Sequence, residues 1–481
     1  MSQQPTAPHP PRYWWRAKYG VDWWACGILL IALVAASPIL AVIYLALTPT
    51  DNIWPHLVST VLGGYVATTL GLMVGVGLGT LIIGVGTAWL VTMCRFPGRR
   101  LFEWGMVLPL AMPSYIIAYV YTDLLEFSGP LQGAMRDIFG WSSKRDYWFP
   151  EVRSLGGAIA MMTLVLYPYV YLLSRAAFLE QSVGVFEASR TLGRGPWLSF
   201  ISVALPLARP AIIIGLYLVL METLNDYGTV DFFAVNTFSL GIFDVWMNMN
   251  NISGAAQLAT VMLIFVGGLI LAERHARRKR RFHNTSSKMQ ALPGFPLVGG
   301  RALLATMACL LPVLLGFILP TIILLNYSHT FYDPALSREI LNNAWNSVRL
   351  SVLAGAIAVA ICIFMAYGER IRNSPLLAGA NRIAAMGYAV PGAVLAVGVL
   401  VVLGGLDNSI DSAMRRHFGL STGLILSGTI AAVTFGYLVR FLALALGTVE
   451  ASLGKITPNM DGASRSLGRG TFNTMRLVHL P

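Results

Sequence analysis

The sequence predicts an all-α membrane protein, a polytopic helical bundle built from two parallel repeats. Three observations favour this fold class: an apolar composition, a series of long apolar segments, and a similarity between the two halves of the chain. Of the 481 residues, 56% are hydrophobic and only 12% are charged, whereas soluble globular proteins carry about 25% charged residues. This composition excludes a soluble enzyme and a disordered chain.

Ten apolar segments are long enough to cross the hydrocarbon core of a bilayer, which requires about 20 helical residues. They cover residues 25–47, 63–92, 104–125, 155–177, 208–225, 256–272, 303–326, 346–367, 383–404 and 421–447. No cleavage site of small residues follows the polar start, so the first segment is expected to stay as an anchor. Gly71, Gly75 and Gly79 repeat at the spacing that permits close helix packing.

The distribution of charge predicts the orientation. The net charge is +12, from 34 Lys and Arg against 22 Asp and Glu. With the N-terminus inside, most of these cations lie inside, as the positive-inside rule requires. Eight fall in outside loops: Arg136, Lys144, Arg145, Arg153, Arg338, Arg349, Arg415 and Arg416. The basic run at 274–281 is then an inside anchor between two halves, with binding of anionic lipid or nucleic acid as the alternative for that run.

The two halves resemble each other at a nearly constant offset of 278 to 275 residues. The matched elements are Ala88-Trp89 with Ala366-Tyr367, Pro113-Ser114 with Pro391-Gly392, and Gly193 with Gly468. Six helices separate the matched elements, so the repeat is parallel rather than inverted. The repeat predicts a tail at 1–24, a first half at 25–272, a basic linker at 273–302 and a second half at 303–481.

Two inside segments carry the same motif, and we name them the first motif loop (178–207) and the second motif loop (448–481). The first contains Ala-Ser-Arg-Thr-Leu-Gly-Arg-Gly at 188–195, the second Ala-Ser-Arg-Ser-Leu-Gly-Arg-Gly at 463–470, and in each a Leu-Pro pair begins ten positions after the last glycine. Glycine permits the left-handed backbone that ends a helix, and proline is tolerated at the start of the next one. The motif therefore predicts a short helix, a glycine turn and a second helix entering the membrane.

This doubled motif resembles the "EAA" loop of ABC-importer permeases, and the resemblance covers essentially the whole chain. In that family the loop is the coupling helix that docks on a cytoplasmic ATPase, and two loops in one chain imply a fused permease. The coupling residues that the resemblance implies are Glu187, Ala188, Ser189, Gly193, Pro206, Asp461, Ala463, Ser464, Gly468 and Pro481. The second loop departs from the pattern, because Gly462 occupies the Glu position and Asp461 precedes it.

No catalytic or nucleotide-binding pattern is present in the sequence. Gly454-Lys455 is followed by Ile456, so the Walker A pattern is absent. The resemblance implies a separate pair of ATPase subunits, a periplasmic or lipid-anchored solute-binding protein, and an inner-membrane location with no nucleic-acid partner and no cofactor on this chain. The four cysteines share no metal or disulfide spacing, so we expect them to act as packing residues.

A polar cluster at the end of the fifth apolar segment is a candidate for the substrate path, because polar residues inside a membrane are costly. It comprises Glu222, Asn225, Asp226 and Tyr227. Pairing of Glu222 with a neighbouring helix is the alternative. Residues 222–230 and the Thr237-Phe238 pair resemble ferric-iron permeases, which implies ferric iron as substrate, although relatives for thiosulfate, phosphonates or polyamines have similar layouts. We assign no metal ligands.

Two further expectations complete the sequence-based interpretation. An ion-coupled secondary transporter is the alternative from another class, and the parallel repeat argues against it. In the first half, Leu205-Pro206 is followed by two more apolar segments, whereas the chain stops at Leu480-Pro481. If the halves are equivalent, about ten of an expected twelve helices are present and the second half is incomplete.

Overall fold

The computed structural model describes residues 23–181, 191, 193, 195–278, 294–372, 374–453, 456, 460, 463–464, 466–468 and 471–479. Within this part of the chain nine helices are long and apolar enough to cross a membrane, and a bent pair makes up to ten. Large apolar side chains lie exposed along these helices, for example Ile82 at 74% and Leu303 at 60%. The predicted polytopic helical membrane protein is confirmed.

The helices follow the apolar segments closely. In the first half they are α1 (Trp23–Leu47), α2 (Trp54–Thr60), α3 (Leu62–Met93), α4 (Arg99–Gly105), α5 (Ser114–Leu125), α6 (Pro130–Phe139), α7 (Leu155–Leu179), α8 (Pro196–Ser199), α9 (Leu205–Asn225), α10 (Gly228–Phe232), α11 (Phe238–Phe243) and α12 (Ile252–Arg278). In the second half they are α13 (Gly300–Val313), α14 (Leu319–Thr330), α15 (Pro334–Arg372), α16 (Pro375–Ala384), α17 (Gly392–Phe418), α18 (Ile430–Leu453) and α19 (Thr471–Thr474).

Short segments of other geometry join some of these helices. Leu108–Ala111 and Ala385–Ala389 are 3₁₀ turns, and Phe200–Ala204, Asp244–Asn248, Leu314–Ile318 and Met475–His479 are π-helical turns. Two-residue strands, β1 (Cys94–Arg95) and β2 (Phe295–Pro296), pair in parallel. Three of the four cysteines, Cys94, Cys309 and Cys362, are buried as expected, whereas Cys26 is exposed.

The third predicted segment, 104–125, is not one straight helix. Arg99–Ala111 and Ser114–Phe139 meet at 89°, and Pro113 at the break has extended backbone angles (φ −60°, ψ 136°). The ring of a proline removes a backbone donor and disfavours helix at the residue before it. Pro391 repeats the geometry in the second half (φ −56°, ψ 143°).

The last two predicted segments begin earlier than the helices of the structure, each for its own reason. The predicted 383–404 segment becomes α17, which starts only after Pro391 and extends to Phe418. The predicted 421–447 segment starts only at Ile430, because the buried Asp407 holds the preceding residues in a loop. Its carboxylate accepts the amides of Leu426 (2.9 Å) and Ser427 (2.8 Å).

The chain divides into two compact units, Pro49–Pro334 and a second unit formed by Met1–Thr48 with Ala335–Pro481. These units differ from the halves of the sequence, because each unit contains the first helix or helices of the other half. Helix α1 belongs to the second unit. Helices α13 and α14 pack in the Pro49–Pro334 unit, where the hydroxyl of Tyr121 donates to the carbonyl of Leu315 at 2.7 Å. The predicted division into halves at 273–302 describes the repeat and stays a prediction.

The core of the Pro49–Pro334 unit is the contact between α3 and α7. A Cβ on Gly75 would lie 2.5 Å from Ile159, and one on Gly79 would lie 2.7 Å from Thr163. The close packing that the glycine spacing predicts is therefore confirmed. At the end of α3, the buried Trp89 packs its ring against Phe200 with the centroids 4.8 Å apart.

The second unit repeats this design with α1 as the added helix. The ring of Trp24 stacks on Phe364 of α15 at 4.5 Å. A Cβ on Gly398 of α17 would overlap the carbonyl oxygen of Pro38. Ala366 and Tyr367, which match Ala88 and Trp89 in the sequence repeat, are buried like their counterparts.

Gly84 of α3 provides a direct test of this packing. A Cβ there would lie 2.8 Å from Cβ of Val170 and 3.0 Å from the carbonyl oxygen of Tyr167. We expect Gly84→Ala to lower the free energy of unfolding by about 1–3 kcal/mol, the usual cost of overpacking. Gly86→Ala is the matched control, because its Cβ would meet nothing within 4 Å. Thermal unfolding in detergent checks both, and an equal effect of the two variants would contradict the packing argument.

Candidate functional site

The two motif loops share one backbone feature. Gly193 and Gly468 adopt left-handed angles of φ 74° and φ 75°, the conformation that ends a helix at low cost only for glycine. A Cβ at either position would meet nothing within 4 Å, so the backbone angle and not the space demands glycine. Both predicted glycine turns are confirmed.

Several predicted coupling residues lie outside the described residues. These are Glu187, Ala188, Ser189, Asp461 and Pro481. Their roles stay predictions. Ala463, Ser464 and Pro206 are described, together with the flanks of both loops.

The first motif loop is closed where it leaves and re-enters the bundle. The side-chain amide of Gln181 donates to the carbonyl of Ala204 at 3.0 Å. Ala204 ends a π-helical turn, and Pro206 lies in the first turn of α9, as predicted. The hydrogen bond thus joins the two ends of the loop.

A group of charges holds the helix that leads into the first motif loop. Glu103 of α4 lies between two arginines, 3.6 Å from Arg175 of α7 and 3.6 Å from Arg99. Arg99 donates from Nε to the carbonyl of Val91 at 2.6 Å, and the hydroxyl of Tyr171 donates to the carbonyl of Glu103 at 3.1 Å. This group connects the end of α3, the short helix α4 and the end of α7.

The second motif loop is joined internally. The hydroxyls of Ser464 and Thr474 share a hydrogen bond of 2.9 Å, and both residues are buried. The bond spans the Gly468 turn. The backbone amide of Leu467 donates to the carbonyl of Ala463 at 3.2 Å, as in a helix. The π-helical turn Met475–His479 matches Phe200–Ala204 of the first motif loop at the offset of 275.

The polar cluster after α9 is organised around Asp226. Its carboxylate accepts the hydroxyl of Ser114 (2.6 Å), the amide and hydroxyl of Thr229 (2.8 and 2.9 Å) and the amide of Val230 (3.3 Å). Ser114 is the first residue of α5, directly after the break at Pro113. Asp226 therefore joins the broken helix to the end of α9 and starts the short helix α10.

Tyr227 is the member of the cluster with its side chain most open. It is 36% exposed, and its ring lies 4.2 Å from that of Phe243. Partial burial and the carboxylates of Asp231 and Asp244 raise the pKa of Tyr227, so the phenol is neutral at physiological pH and serves as a hydrogen-bonding hydroxyl.

Glu222 and Asn225 lie on α9, partly buried, and each already interacts with another group of the protein. The structure brings the four predicted path residues together at the end of α9. In the part of the chain that the structure describes, no three His, Cys, Asp or Glu side chains come together to hold a metal ion.

Sequence reasoning missed Ser114, Gln181 and Thr474 as partners of the predicted site residues. One signal was present, because a hydroxyl residue follows the motif serine after ten residues in both loops, as Ser199 and as Thr474. Gln181 and Ser114 carry no such signal. Their partners are distant in sequence and meet them only in the folded chain.

Comparisons with known proteins agree with this architecture. Residues 80–281 match the family model for the binding-protein-dependent transport system inner membrane component. An Fe(3+)-transport system permease protein of Haemophilus influenzae is 25% identical over 94% of this chain and 83% of its own length.

Shorter relatives match about half of the chain. A molybdenum transport system permease protein of Escherichia coli is 28% identical over 42% of this chain and 87% of its own length. A sulfate transport system permease protein of the same organism is 29% identical over 49% of this chain and 84% of its own length. With its spanning helices and these relatives, the chain is similar to the inner-membrane permease components of binding-protein-dependent transport systems.

Proposed function

We propose that this chain is the membrane-spanning subunit of an ATP-driven importer of ferric iron. The observation that carries the substrate is the similarity to an Fe(3+)-transport permease along 94% of the chain. The relatives named for molybdenum and sulfate transport match only 42% and 49% of it. A match along nearly the whole chain supports a common substrate better than a match to less than half of it.

We propose that the two motif loops couple the permease to a pair of cytoplasmic ATPase subunits. Each compact unit contains one loop, and both loops contain a left-handed glycine. A loop joined at its neck by Gln181 or across its turn by Ser464 moves as one piece. Such a piece transmits closure of the ATPases to the helices above it, whereas a slack loop would absorb the motion. Hydrolysis of ATP belongs to the partner subunits, because the chain has no Walker A pattern.

The remaining components follow from the family and the charge distribution. A periplasmic or lipid-anchored solute-binding protein delivers the substrate to the outside face. The chain lies in the bacterial inner membrane with its N-terminus in the cytoplasm, since this orientation leaves only eight Lys and Arg in outside loops. The basic run at 274–281 then lies on the cytoplasmic side.

The cluster at the end of α9 is proposed to border the substrate path. Tyr227 presents a neutral hydroxyl at an exposed position. Asp226 serves that position indirectly, because its carboxylate is already engaged by Ser114, Thr229 and Val230. Glu222 and Asn225 lie one turn and one residue before it on α9.

Transport of an oxyanion is the second candidate function. The molybdenum and sulfate relatives favour it, because they are 28% and 29% identical to the parts of this chain that they match, against 25% for the Fe(3+)-transport relative. In that case the transported ion is an anion, whereas Fe³⁺ is a cation.

Uptake assays decide the substrate. The chain is reconstituted in vesicles with the ATPase and solute-binding protein encoded beside it, and radiolabelled Fe³⁺, molybdate, sulfate, thiosulfate, a phosphonate and a polyamine are compared. We expect ATP-dependent uptake of Fe³⁺ and none of the others above the level of vesicles without ATP. Uptake of molybdate or sulfate without Fe³⁺ would replace the iron proposal, and genes for no ATPase beside this chain would weaken coupling to ATP.

The two motif loops are expected to contribute unequally. Glu187→Ala should reduce transport about tenfold or more, because a hydrogen bond to a charged group is worth about 1.5–3 kcal/mol. Asp461→Ala should reduce it less, since Asp461 stands one position before the family's Glu. Glu151→Ala, an exposed carboxylate in the 126–153 segment, is the control. ATP hydrolysis and uptake are measured together, and equal uncoupling by both loop variants would contradict the asymmetry.

Variants of Asp226 and Tyr227 are expected to distinguish a residue that positions the site from one that contacts the substrate. Asp226→Ala leaves the amides of Thr229 and Val230 without their acceptor and should lower the free energy of unfolding by about 2 kcal/mol. Tyr227→Phe keeps the ring against Phe243 and should leave unfolding unchanged while lowering uptake. The exposed Asp231 supplies the control variant Asp231→Ala for stability. Wild-type uptake by folded Tyr227→Phe would remove its hydroxyl from the path.

A further inference from the structure

The second motif loop begins at a helix end that an arginine caps. Arg370, in the last turn of α15, donates from Nη1 to the carbonyl of Leu453 (2.5 Å) and from Nη2 to the carbonyl of Ile456 (2.7 Å). Leu453 is the last residue of α18. The final carbonyls of a helix have no partner within the helix, and a cation stabilises them.

The two carbonyls belong to different parts of the chain. Leu453 is the last residue of α18, and Ile456 lies three residues beyond the end of that helix. The guanidinium is a planar fork whose donors diverge at fixed angles, so it holds both carbonyls at once and sets the distance between them. An ammonium group is a single point of charge and does not impose this geometry.

The same turn of α15 is also joined to the short helix α16. The side-chain amide of Asn381 donates to the carboxylate of Glu369, the neighbour of Arg370. One helical turn therefore connects three elements of this unit: α15, α16 and the end of α18 with the first residues of the motif loop.

The first half joins its corresponding elements in another way. There Glu103 of α4 pairs with Arg175 of α7. At the repeat offsets of 278 and 275, these positions become Asn381 and Glu450, so the ion pair cannot form in the second half. The position that matches Arg370 is Thr92, whose hydroxyl donates within its own helix, to the carbonyls of Ala88 and Trp89.

We propose that Arg370 is a positioning residue for the second motif loop and takes over the role that the Glu103–Arg175 pair has in the first. It fixes the start of the loop relative to α15, so that a movement of the loop under the ATPase moves α15 with it. This inference rests on the proposed coupling of the loops to an ATPase. The loop itself makes the contact with the ATPase, and Arg370 acts through it.

The test compares Arg370→Gln and Arg370→Lys with Arg338→Gln in the complete complex. Arg338 is exposed near the other end of α15 and gives the same change of charge on the same helix. Copurification with the ATPase, thermal unfolding, ATP hydrolysis and substrate uptake are measured for each. The decisive quantity is substrate moved per ATP hydrolysed.

For Arg370→Gln we expect the complex to assemble and hydrolyse ATP, with uptake per ATP reduced about tenfold. Arg370→Lys keeps the charge and one contact and should recover part of the loss, and Arg338→Gln should match the wild type. If Arg370→Gln does not fold, the uptake per ATP of Arg370→Lys tests the inference instead.

Three outcomes would overturn the inference: wild-type uptake per ATP in both Arg370 variants, an equal loss in Arg338→Gln, or parallel losses of uptake and hydrolysis that follow only the amount of folded chain. A wild-type chain that neither binds nor stimulates the ATPase would instead overturn the proposed function itself.

Discussion

The structure depends on one constraint: a backbone amide or carbonyl inside a bilayer must have a partner, because no water is available to it. Regular helix satisfies this for most of the chain. Wherever a helix breaks, the partner comes from elsewhere. After α9 the carboxylate of Asp226 accepts the backbone amides of Thr229 and Val230, and at the end of α18 two carbonyls accept hydrogen bonds from Arg370. The residues to which we assign functions lie at these helix breaks or form hydrogen bonds there.

The repeat conserves backbone geometry more closely than side-chain chemistry. The breaks at Pro113 and Pro391 have nearly the same angles, and so do the turns at Gly193 and Gly468. The hydrogen bonds and ion pairs around them differ between the halves. These backbone angles follow from residue type, because proline restricts φ and glycine adopts left-handed angles at low cost, whereas several different side chains can satisfy one carbonyl. Equivalent helices are therefore attached by different residues in the two halves.

Each unit contains the first helix or helices of the other half of the sequence. Close packing explains this in both units. In the Pro49–Pro334 unit, Gly316 between α13 and α14 permits close approach to the carbonyl of Leu164. In the other unit, Gly398 permits the approach of α1 at Pro38. Close backbone contact is a main source of helix association in lipid, where apolar side chains gain little by leaving the lipid for one another. Each unit thus depends on a helix that is distant in the sequence from most of its partners.

The sequence alone determined the fold class, the number of spanning segments, the repeat and the two glycine turns. These follow from local properties: apolar length, fixed spacing, and a glycine such as Gly193, which adopts left-handed backbone angles at low cost. Only the tertiary structure decided the partners. Ser114 meets Asp226 over a separation of 112 residues, and Arg370 meets Leu453 over 83. Contacts of this kind depend on how helices pack, and helix packing is set by the shapes of many side chains together, which no short pattern in the sequence records.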